Sequence, residues 1–377
     1  MEKIRSGPKK RSICLLYNYG QHYRLGIFKL LNDNLSVDFY FGDKMDGVKK
    51  LDYGELSLFK KEMKNKKIIG PLYWQSGALS VLFKPYTDYI LLGEYFCLST
   101  WVLAIIGPLY GKKIYFWTHG WYGKEGTIMS IVKKLFFKLA DHIFLYGERA
   151  KKLMIQQGFN ANRLHVIYNS LDYEKQIKIR SKLRSNNIYH GLFKNNNPTI
   201  VFIGRLTKIK KLTMIIDAME ILKQKGINVN VCFIGDGEEK SILESIAKKY
   251  GFEDKVYFTG ALYDEEIIAN YIYNADVCVS PGNVGLTAMH SLVFGTPVIT
   301  NDDFNSQMPE FEAIIEGVTG DFFMNNNIED LALKIEQWVS TNVERENIRL
   351  ACFQRIDKFF NPFYQLEIFK DVIKTNS

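Results

Sequence analysis

Residues Val277–Thr300 read Val-Cys-Val-Ser-Pro-Gly-Asn-Val-Gly-Leu-Thr-Ala-Met-His-Ser-Leu-Val-Phe-Gly-Thr-Pro-Val-Ile-Thr. The order is strand, glycine loop, helix, glycine stop, strand. Val277–Ser280 is a short run of strand-forming residues. Pro281, Gly282 and Gly285 then allow a tight turn and a close backbone approach. Leu286–Phe294 fits a short buried helix that Gly295 ends, and Pro297–Thr300 is the next strand. A loop that leaves a strand and opens a helix turns free backbone N–H groups, and the positive end of the helix dipole, toward an anion. In a parallel sheet this is where phosphate-bearing ligands bind.

The same alternation extends along the chain and predicts an α/β protein with parallel sheets. In the first half, Ile13–Tyr17, Val37–Phe41, Tyr89–Leu92, Ile114–Trp117, Ile143–Tyr146 and His165–Tyr168 read as strands. His22–Leu31, Leu98–Ile106, Thr127–Ala140 and Glu148–Gln157 read as the helices between them. The polar stretch Ser181–Pro198 breaks the pattern and reads as an early loop of a second domain. A second strand series follows at Thr199–Ile203, Asn228–Ile234, Val256–Phe258, Val277–Ser280 and Pro297–Thr300. The helices Lys211–Gln224, Lys240–Tyr250, Glu265–Tyr273 and Leu286–Phe294 connect it, and the tail from Ile328 is helical with a break at Asn361-Pro362. The expected organisation is two Rossmann-like, doubly wound domains, 1–171 and 172–355, with a final helix, 356–377, packing back on the first. Ligands of such a pair bind in an interdomain cleft, at the carboxyl ends of the strands.

Composition narrows the function classes. A chain of 377 residues exceeds one ordinary core. A content of 47% hydrophobic and 24% charged residues is a soluble profile. The five cysteines (Cys14, Cys97, Cys232, Cys278, Cys352) are odd in number, far apart and without a CxxC pair. That pattern points to buried free thiols rather than disulfides or zinc. Met1–Ser12 is basic but lacks the apolar core of a signal peptide. The most apolar run, Leu98–Tyr110, is too short for a membrane span. A span needs roughly 20 residues. Residues 1–170 hold about 26 Lys and Arg against 13 Asp and Glu, whereas the remainder is net acidic by about 5. Clusters at Lys9-Lys10-Arg11, Lys60-Lys61, Lys66-Lys67, Lys112-Lys113 and Lys133-Lys134 read as solvated faces, or as attraction to an anionic membrane or acceptor. No nucleic-acid recognition motif accompanies them.

Two further strand ends carry chemistry. Gly204-Arg205-Leu206 follows Thr199–Ile203, with Lys210 six residues after Gly204. Two cations there suit a pyrophosphate, since Arg forks two oxygens and Lys supplies a point charge. Phe233-Ile234-Gly235-Asp236-Gly237 ends another strand with two glycines. Together with Val256-Tyr257-Phe258-Thr259-Gly260, Ala275-Asp276-Val277…Ser280-Pro281 and Gly295-Thr296-Pro297-Val298, these occur in an order that resembles the C-terminal half of the retaining glycosyltransferases of family 4, which have the GT-B fold. The first half resembles that family more loosely, through Thr118-His119-Gly120 and Val166-Ile167-Tyr168-Asn169-Ser170-Leu171-Asp172.

The resemblance implies sugar transfer from a nucleotide diphosphate donor to a glycan or lipid-linked glycan, with retention at the anomeric carbon and no required metal or other cofactor. It implies that Arg205 and Lys210 hold the donor pyrophosphate, with Gly204, Gly235, Asn283 and the backbone of Val284, Gly285, Leu286 and Thr287 around it. Gly260–Tyr263, Leu262 included, would line the base pocket. His119 would lie close to the donor sugar, and Asn169 matches a position at the domain junction. On the acceptor side, Gly20, His22 and Arg24 follow the first strand, where the family's acceptor-side loop lies; His22 and Arg24 would contact an acceptor or a phosphate, or pack at the helix start. Trp117, Trp121 and Tyr122 flank His119 as sugar-stacking or core residues.

One departure stands out. The family carries two glutamates around the glycine loop, and here Gly282 and His290 stand at those positions. The resemblance leaves the sugar contacts to be rebuilt from the loop Asn301–Glu310, with Asp302, Asp303 and Glu310 as candidates. The expected setting is the cytoplasm, with peripheral association at the inner membrane face. Two rival readings remain at this level. The first is a non-catalytic GT-B binding protein, prompted by the missing carboxylates. The second is a nucleotide-sugar 2-epimerase, which needs additional carboxylates.

Overall fold

The computed structural model describes residues 12–44 and 48–375. The chain divides after Asp172 and again after Phe360, so that unit 1 is the N-terminal part with the last helix and unit 2 is 173–360. Residues 356–360 therefore stay with unit 2, whereas the sequence reading sends the chain back from 356. Lys9-Lys10-Arg11, and the Met1–Arg11 part of the leader reading, lie outside the described residues.

Unit 1 contains β1 (Ile13–Tyr17), α1 (Leu25–Leu35), β2 (Asp38–Gly42), β3 (Phe59–Ile69), β4 (Leu72–Ser76), β5 (Asp88–Leu92), α2 (Leu98–Ile106), β6 (Lys113–Thr118), α3 (Thr127–Lys138), β7 (His142–Leu145), α4 (Glu148–Gln156) and β8 (Leu164–Val166). Its sheet runs β4-β3-β2-β1-β5-β6-β7-β8 and is parallel except for the β3–β4 pair. Strand β1 shows why these segments read as continuous apolar runs. Ile13, Leu15 and Tyr17 enter the hydrophobic cluster on one face, and Cys14 and Leu16 enter the cluster on the other.

The β3–β4 hairpin is the element the apolar pattern does not reveal. In β3 only Met63 is buried, and Lys60, Lys61, Lys66 and Lys67 stand along it. A sheet edge needs little apolar burial, and lysines there discourage pairing with another chain. The basic clusters of this region therefore lie on the strand next to the sheet edge, which β4 forms.

Unit 2 contains α5 (Tyr173–Arg180), α6 (Ile188–Phe193), β9 (Thr199–Ile203), α7 (Thr213–Gln224), β10 (Asn230–Ile234), α8 (Lys240–Lys249), β11 (Val256–Gly260), α9 (Glu265–Asn274), β12 (Val277–Ser280), α10 (Leu286–Val293), β13 (Val298–Asn301), β14 (Gly320–Phe323), α11 (Ile328–Val339) and α12 (Arg345–Phe359). The last helix, α13 (Pro362–Thr375), returns to unit 1, where Phe369 packs 4.2 Å from the Phe144 ring and 5.1 Å from Trp117. All six strands of unit 2 are parallel, in the order β11-β10-β9-β12-β13-β14. That is the doubly wound order whose direction reverses between the first and fourth strands, here β9 and β12.

Two readings are corrected in unit 2. The polar stretch 181–198 contains α6, held because Tyr189 and Phe193 are buried and the Tyr189 hydroxyl donates to Tyr271 O at 2.7 Å. Strand β14 was not anticipated, because Gly320-Asp-Phe-Phe is too short and mixed to show a period. All five cysteines are free and buried.

Candidate active site

The strand ends at the reversal point of unit 2 meet through their loops. Loop 207–211, after β9, docks on the glycine loop after β12. Gly282 N–H donates to Lys210 O at 2.9 Å, and the Lys210 ammonium donates to Asn283 O. A Cβ on Gly282 would stand 2.0 Å from Ile209 O and 2.7 Å from the Lys210 backbone. Position 282 thus has no room for the first of the two expected carboxylates. Gly235 makes the second close approach, since a Cβ there would lie 1.9 Å from Gly204 O.

Arg205 is exposed and Lys210 half-buried, on a turn that ends at Lys211. Burial lowers the Lys210 pKa, the Glu310 carboxylate raises it and Arg205 lowers it again. Arg205, Lys210 and the buried Glu310 therefore act on one another in one neighbourhood.

The glycine loop presents fewer N–H groups than the sequence implies. Val284 N–H is occupied by Gln307 Oε1 at 2.8 Å, while Gln307 Nε2 reaches Gly282 O, Thr300 Oγ1 and Asn301 O at 3.0–3.2 Å. Gln307 is 3% exposed and was not singled out from sequence, because one glutamine in a polar loop carries no pattern. The first-turn N–H groups of Leu286 and Thr287 keep the helix-terminal position that has no intrahelical acceptor. The Thr287 hydroxyl donates to Ile203 O at 2.8 Å and ties α10 to β9. The Asn283 amide donates to Ser306 O at 2.9 Å. Leu262 is half-buried beside the fully exposed Tyr263, and Asp264 caps α9.

His290, at the second carboxylate position, is not isolated. Its Nε2 lies 3.0 Å from Glu265 Oε1, and Gln176 Nε2 donates to the same oxygen at 2.8 Å. Burial raises the Glu265 pKa, but the hydrogen bond and charge of His290 more than offset it and hold it at about 2. A carboxylate therefore stands beside position 290, supplied by α9, while Glu310 of the loop 301–310 acts on Lys210. In that loop Asn301 donates to Pro281 O and Gly282 O at 2.7 and 2.8 Å, and Asp302 accepts from Asn325 N–H at 2.9 Å. Those two side chains hold backbone, while Glu310 is buried within electrostatic reach of Lys210.

In unit 1, His119 follows β6. Its Nδ1 is buried without a hydrogen-bond partner, and burial, then Arg24 and Lys133, push its pKa down to about 3. The imidazole is neutral at ordinary pH. The loop beyond it is clamped by the buried Lys133–Glu125 pair at 2.6 Å, Glu125 also accepting from Tyr122 and Gly123 N–H. Trp117 is fully buried and Trp121 nearly so; both are core, which removes the sugar-stacking reading for them. Tyr122 is half-buried, its ring 6.2 Å from that of His119.

Of the acceptor-side residues, Gly20 is buried, with Tyr53 pressed over it. His22 is exposed, its Nδ1 3.2 Å from Lys49 O, and Arg24 is only 5% exposed. Asn169 Oδ1 accepts from Ser170 N–H at 3.0 Å. Glu94, just past β5, was missed. It accepts from Tyr73 and Asn18 at 2.7 and 3.4 Å, and burial still raises its pKa.

The two Rossmann-like units have the fold of the GT-B class. Residues 185–352 match the family model of glycosyl transferases group 1. Among curated relatives, a capsular polysaccharide biosynthesis glycosyltransferase of Staphylococcus aureus, CapM, is 26% identical over 251 residues, 63% of each chain. A 2-deoxystreptamine glucosyltransferase of Streptomyces kanamyceticus is 24% identical over 178 residues, 46% of each chain. The chain spans about half the length of the curated relatives it matches. Among solved structures, Anabaena HepE in complex with UDP superposes with a TM-score of 0.73 at 16% identity, covering 97% of this chain and 100% of that one. A lipopolysaccharide outer core galactosyltransferase, WaaB, gives 0.69 at 14% identity, covering 97% and 100%. The solved structures establish the fold, and 185–352 carry the glycosyl transferases group 1 signature.

Two expectations follow. Gly282→Ala costs about 1–3 kcal/mol in urea unfolding, because its methyl must displace loop 207–211. A stability equal to wild type would refute that packing. Glu265 supplies a pH test. Its folded pKa of about 2 lies below that of an unfolded glutamate, roughly 4.3. Its stabilisation is therefore present above the higher value and is lost as pH falls through the lower. Between about pH 4.5 and 2, wild type should lose on the order of 3 kcal/mol more than Glu265→Gln. Parallel acid limbs in the two proteins would contradict the pairing.

Proposed function

We propose that this protein is a retaining glycosyltransferase that moves a sugar from a nucleotide diphosphate donor to a glycan or lipid-linked glycan in surface-polysaccharide synthesis. One observation carries the reading: Lys210, beyond β9, stands against the glycine loop after β12 at the sheet's reversal point, with Arg205 within electrostatic reach of it. The capsular role in CapM's name and the lipopolysaccharide role in WaaB's support the acceptor class.

In this reading the bond that breaks joins the anomeric carbon to the diphosphate, and negative charge grows on the departing phosphate. Arg205 forks two of its oxygens, Lys210 adds a point charge, and the first turn of α10 adds N–H groups. Fixed donors aimed at developing charge are the largest catalytic contribution in such sites. The neutral His119 serves as a hydrogen-bond partner for a sugar hydroxyl. The reading needs no metal, since the cations occupy the leaving-group role.

Thermal shift with UDP, GDP, dTDP and CMP tests it. One nucleoside diphosphate should stabilise the protein, by about 2.7 kcal/mol at a hundred times its Kd. Arg205→Ala should weaken that binding roughly ten- to a hundredfold, the worth of a charge-assisted hydrogen bond. Absence of any shift, or a shift indifferent to Arg205, would sink the reading.

We also infer that the protein works at the cytoplasmic face of a membrane, with unit 1 docking on anionic lipid. On α3, Ile128, Ile131 and Leu135 are 80%, 56% and 58% exposed. Their spacing puts them on one helix face, near Lys124, Lys134 and Lys138. No helix among the described residues is long and apolar enough to cross a membrane. Vesicles of phosphatidylglycerol should co-sediment the protein in low salt and vesicles of phosphatidylcholine should not, with Ile128→Ser/Leu135→Ser weakening the effect. Equal, negligible pelleting with both would argue against docking.

A further inference from the structure

Arg24 is a buried cation without an anion. It is 5% exposed, and its Nε and Nη1 are buried with no hydrogen-bond partner. None of the ion pairs among the described residues involves it. The side-chain partner it does meet is the neutral hydroxyl of Tyr23. Its guanidinium is walled by four rings, at 5.1 Å from the Tyr146 centroid, 5.3 Å from Trp117, 5.5 Å from Tyr17 and 5.6 Å from Tyr23. Glu94 is engaged by Tyr73 and Asn18 instead.

The surroundings select a ligand. Arg24 lies at the ends of β1 and β6 and beside Tyr146, just past β7. These are the carboxyl ends of parallel strands, where α/β sheets take their ligands. His119 shares the wall, its ring 4.7 Å from that of Tyr146, and its Nδ1 too is buried without a partner. Ring faces attract the cation but offer no acceptors to its N–H groups. A guanidinium stays protonated at any ordinary pH, and its planar fork matches two oxygens of one group. Removal of such a charge from water is compensated only by a partner charge with good hydrogen bonds.

We propose that Arg24 is the receptor for an oxyanion, a phosphate or a carboxylate, carried by the acceptor, and that the ring wall holds the guanidinium ready for it. The proposal rests on the glycosyltransferase reading for the word acceptor, but the anion site itself does not depend on it. The two sources are a phosphoryl group, as on a lipid carrier, and the carboxylate of an acidic sugar.

The test removes the competing cations of unit 2 first. In Arg205→Ala/Lys210→Ala protein, inorganic phosphate and sodium glucuronate are titrated at constant ionic strength, with tryptophan fluorescence as readout, since Trp117 faces the site. A saturable response to phosphate assigns a phosphoryl acceptor, and one to glucuronate alone assigns an acidic sugar. Adding Arg24→Met should weaken the response at least tenfold while Tm stays equal or rises, because an apolar chain replaces an unpaired buried charge. No response to either probe, or one unchanged by Arg24→Met, overturns the proposal. So does a lowered Tm with an unchanged response, the signature of a packing role. UDP binding to otherwise wild-type protein is measured separately, so failure of the donor reading would be seen apart from failure of this site.

Discussion

The docking of loop 207–211 on Gly282 is the contact on which the site of unit 2 depends. It joins the ends of β9 and β12 by backbone: Gly282 N–H to Lys210 O, and the Lys210 ammonium to Asn283 O. Neither bond can form unless residue 282 lacks a side chain, because Ile209 O occupies the place of a Cβ. Around this contact, Gln307, Thr300 and Asn301 saturate the carbonyls of the glycine loop, and Thr287 ties the helix behind it to β9. A cationic side chain is placed accurately only when its own backbone is fixed. Lys210 meets that condition because its carbonyl and ammonium are both committed to the opposite loop.

The two units treat buried charge differently. In unit 2 each inward-facing charge has a counter-charge nearby: Lys210 feels Glu310, and His290 meets Glu265. In unit 1 the Lys133–Glu125 pair follows the same rule, its carboxylate filled by two N–H groups and the ammonium. Arg24 departs from it. Burial keeps His119 neutral, and Arg24 adds to it, since a cation beside a buried imidazole disfavours a second positive charge. One unpaired guanidinium therefore helps fix the protonation state of the neighbouring histidine.

Much of the fold was legible because parallel strands buried on both faces read as plain apolar runs. Thr199–Ile203, Val277–Ser280 and Leu98–Ile106 fall where the pattern puts them. The lysine-rich β3 escaped, since a strand with one buried residue has no apolar period, and α6 escaped because asparagines surround its two buried aromatics. At the candidate site, the position of Arg205 and Lys210 just past a strand was legible from the spacing. Gln307, Glu265 and Glu94 were not, since each acts through partners far away in sequence. Gly282 was read from sequence as a position without its expected carboxylate, and the backbone of Ile209 and Lys210 leaves no room for one there.

The altered positions are coupled by this geometry. With Gly282 committed to packing, no carboxylate can stand at the mouth of the loop, and the negative charge on this side of α10 comes from the first residue of α9. Glu265 suits that place: Asp264 caps the helix, and the N-terminal dipole favours a carboxylate there. Its low pKa keeps it ionised, and Gln176 fixes its position from α5. A histidine at 290 then gains what a lone imidazole lacks, a partner for a ring nitrogen. With Nε2 held against Glu265, the orientation of the ring is fixed. A glutamate at that position would offer two acceptor oxygens, but beside Glu265 it would face a like charge. A histidine at 290 thus fits where the carboxylate of Glu265 stands, and position 282 is packed too tightly to hold a carboxylate of its own.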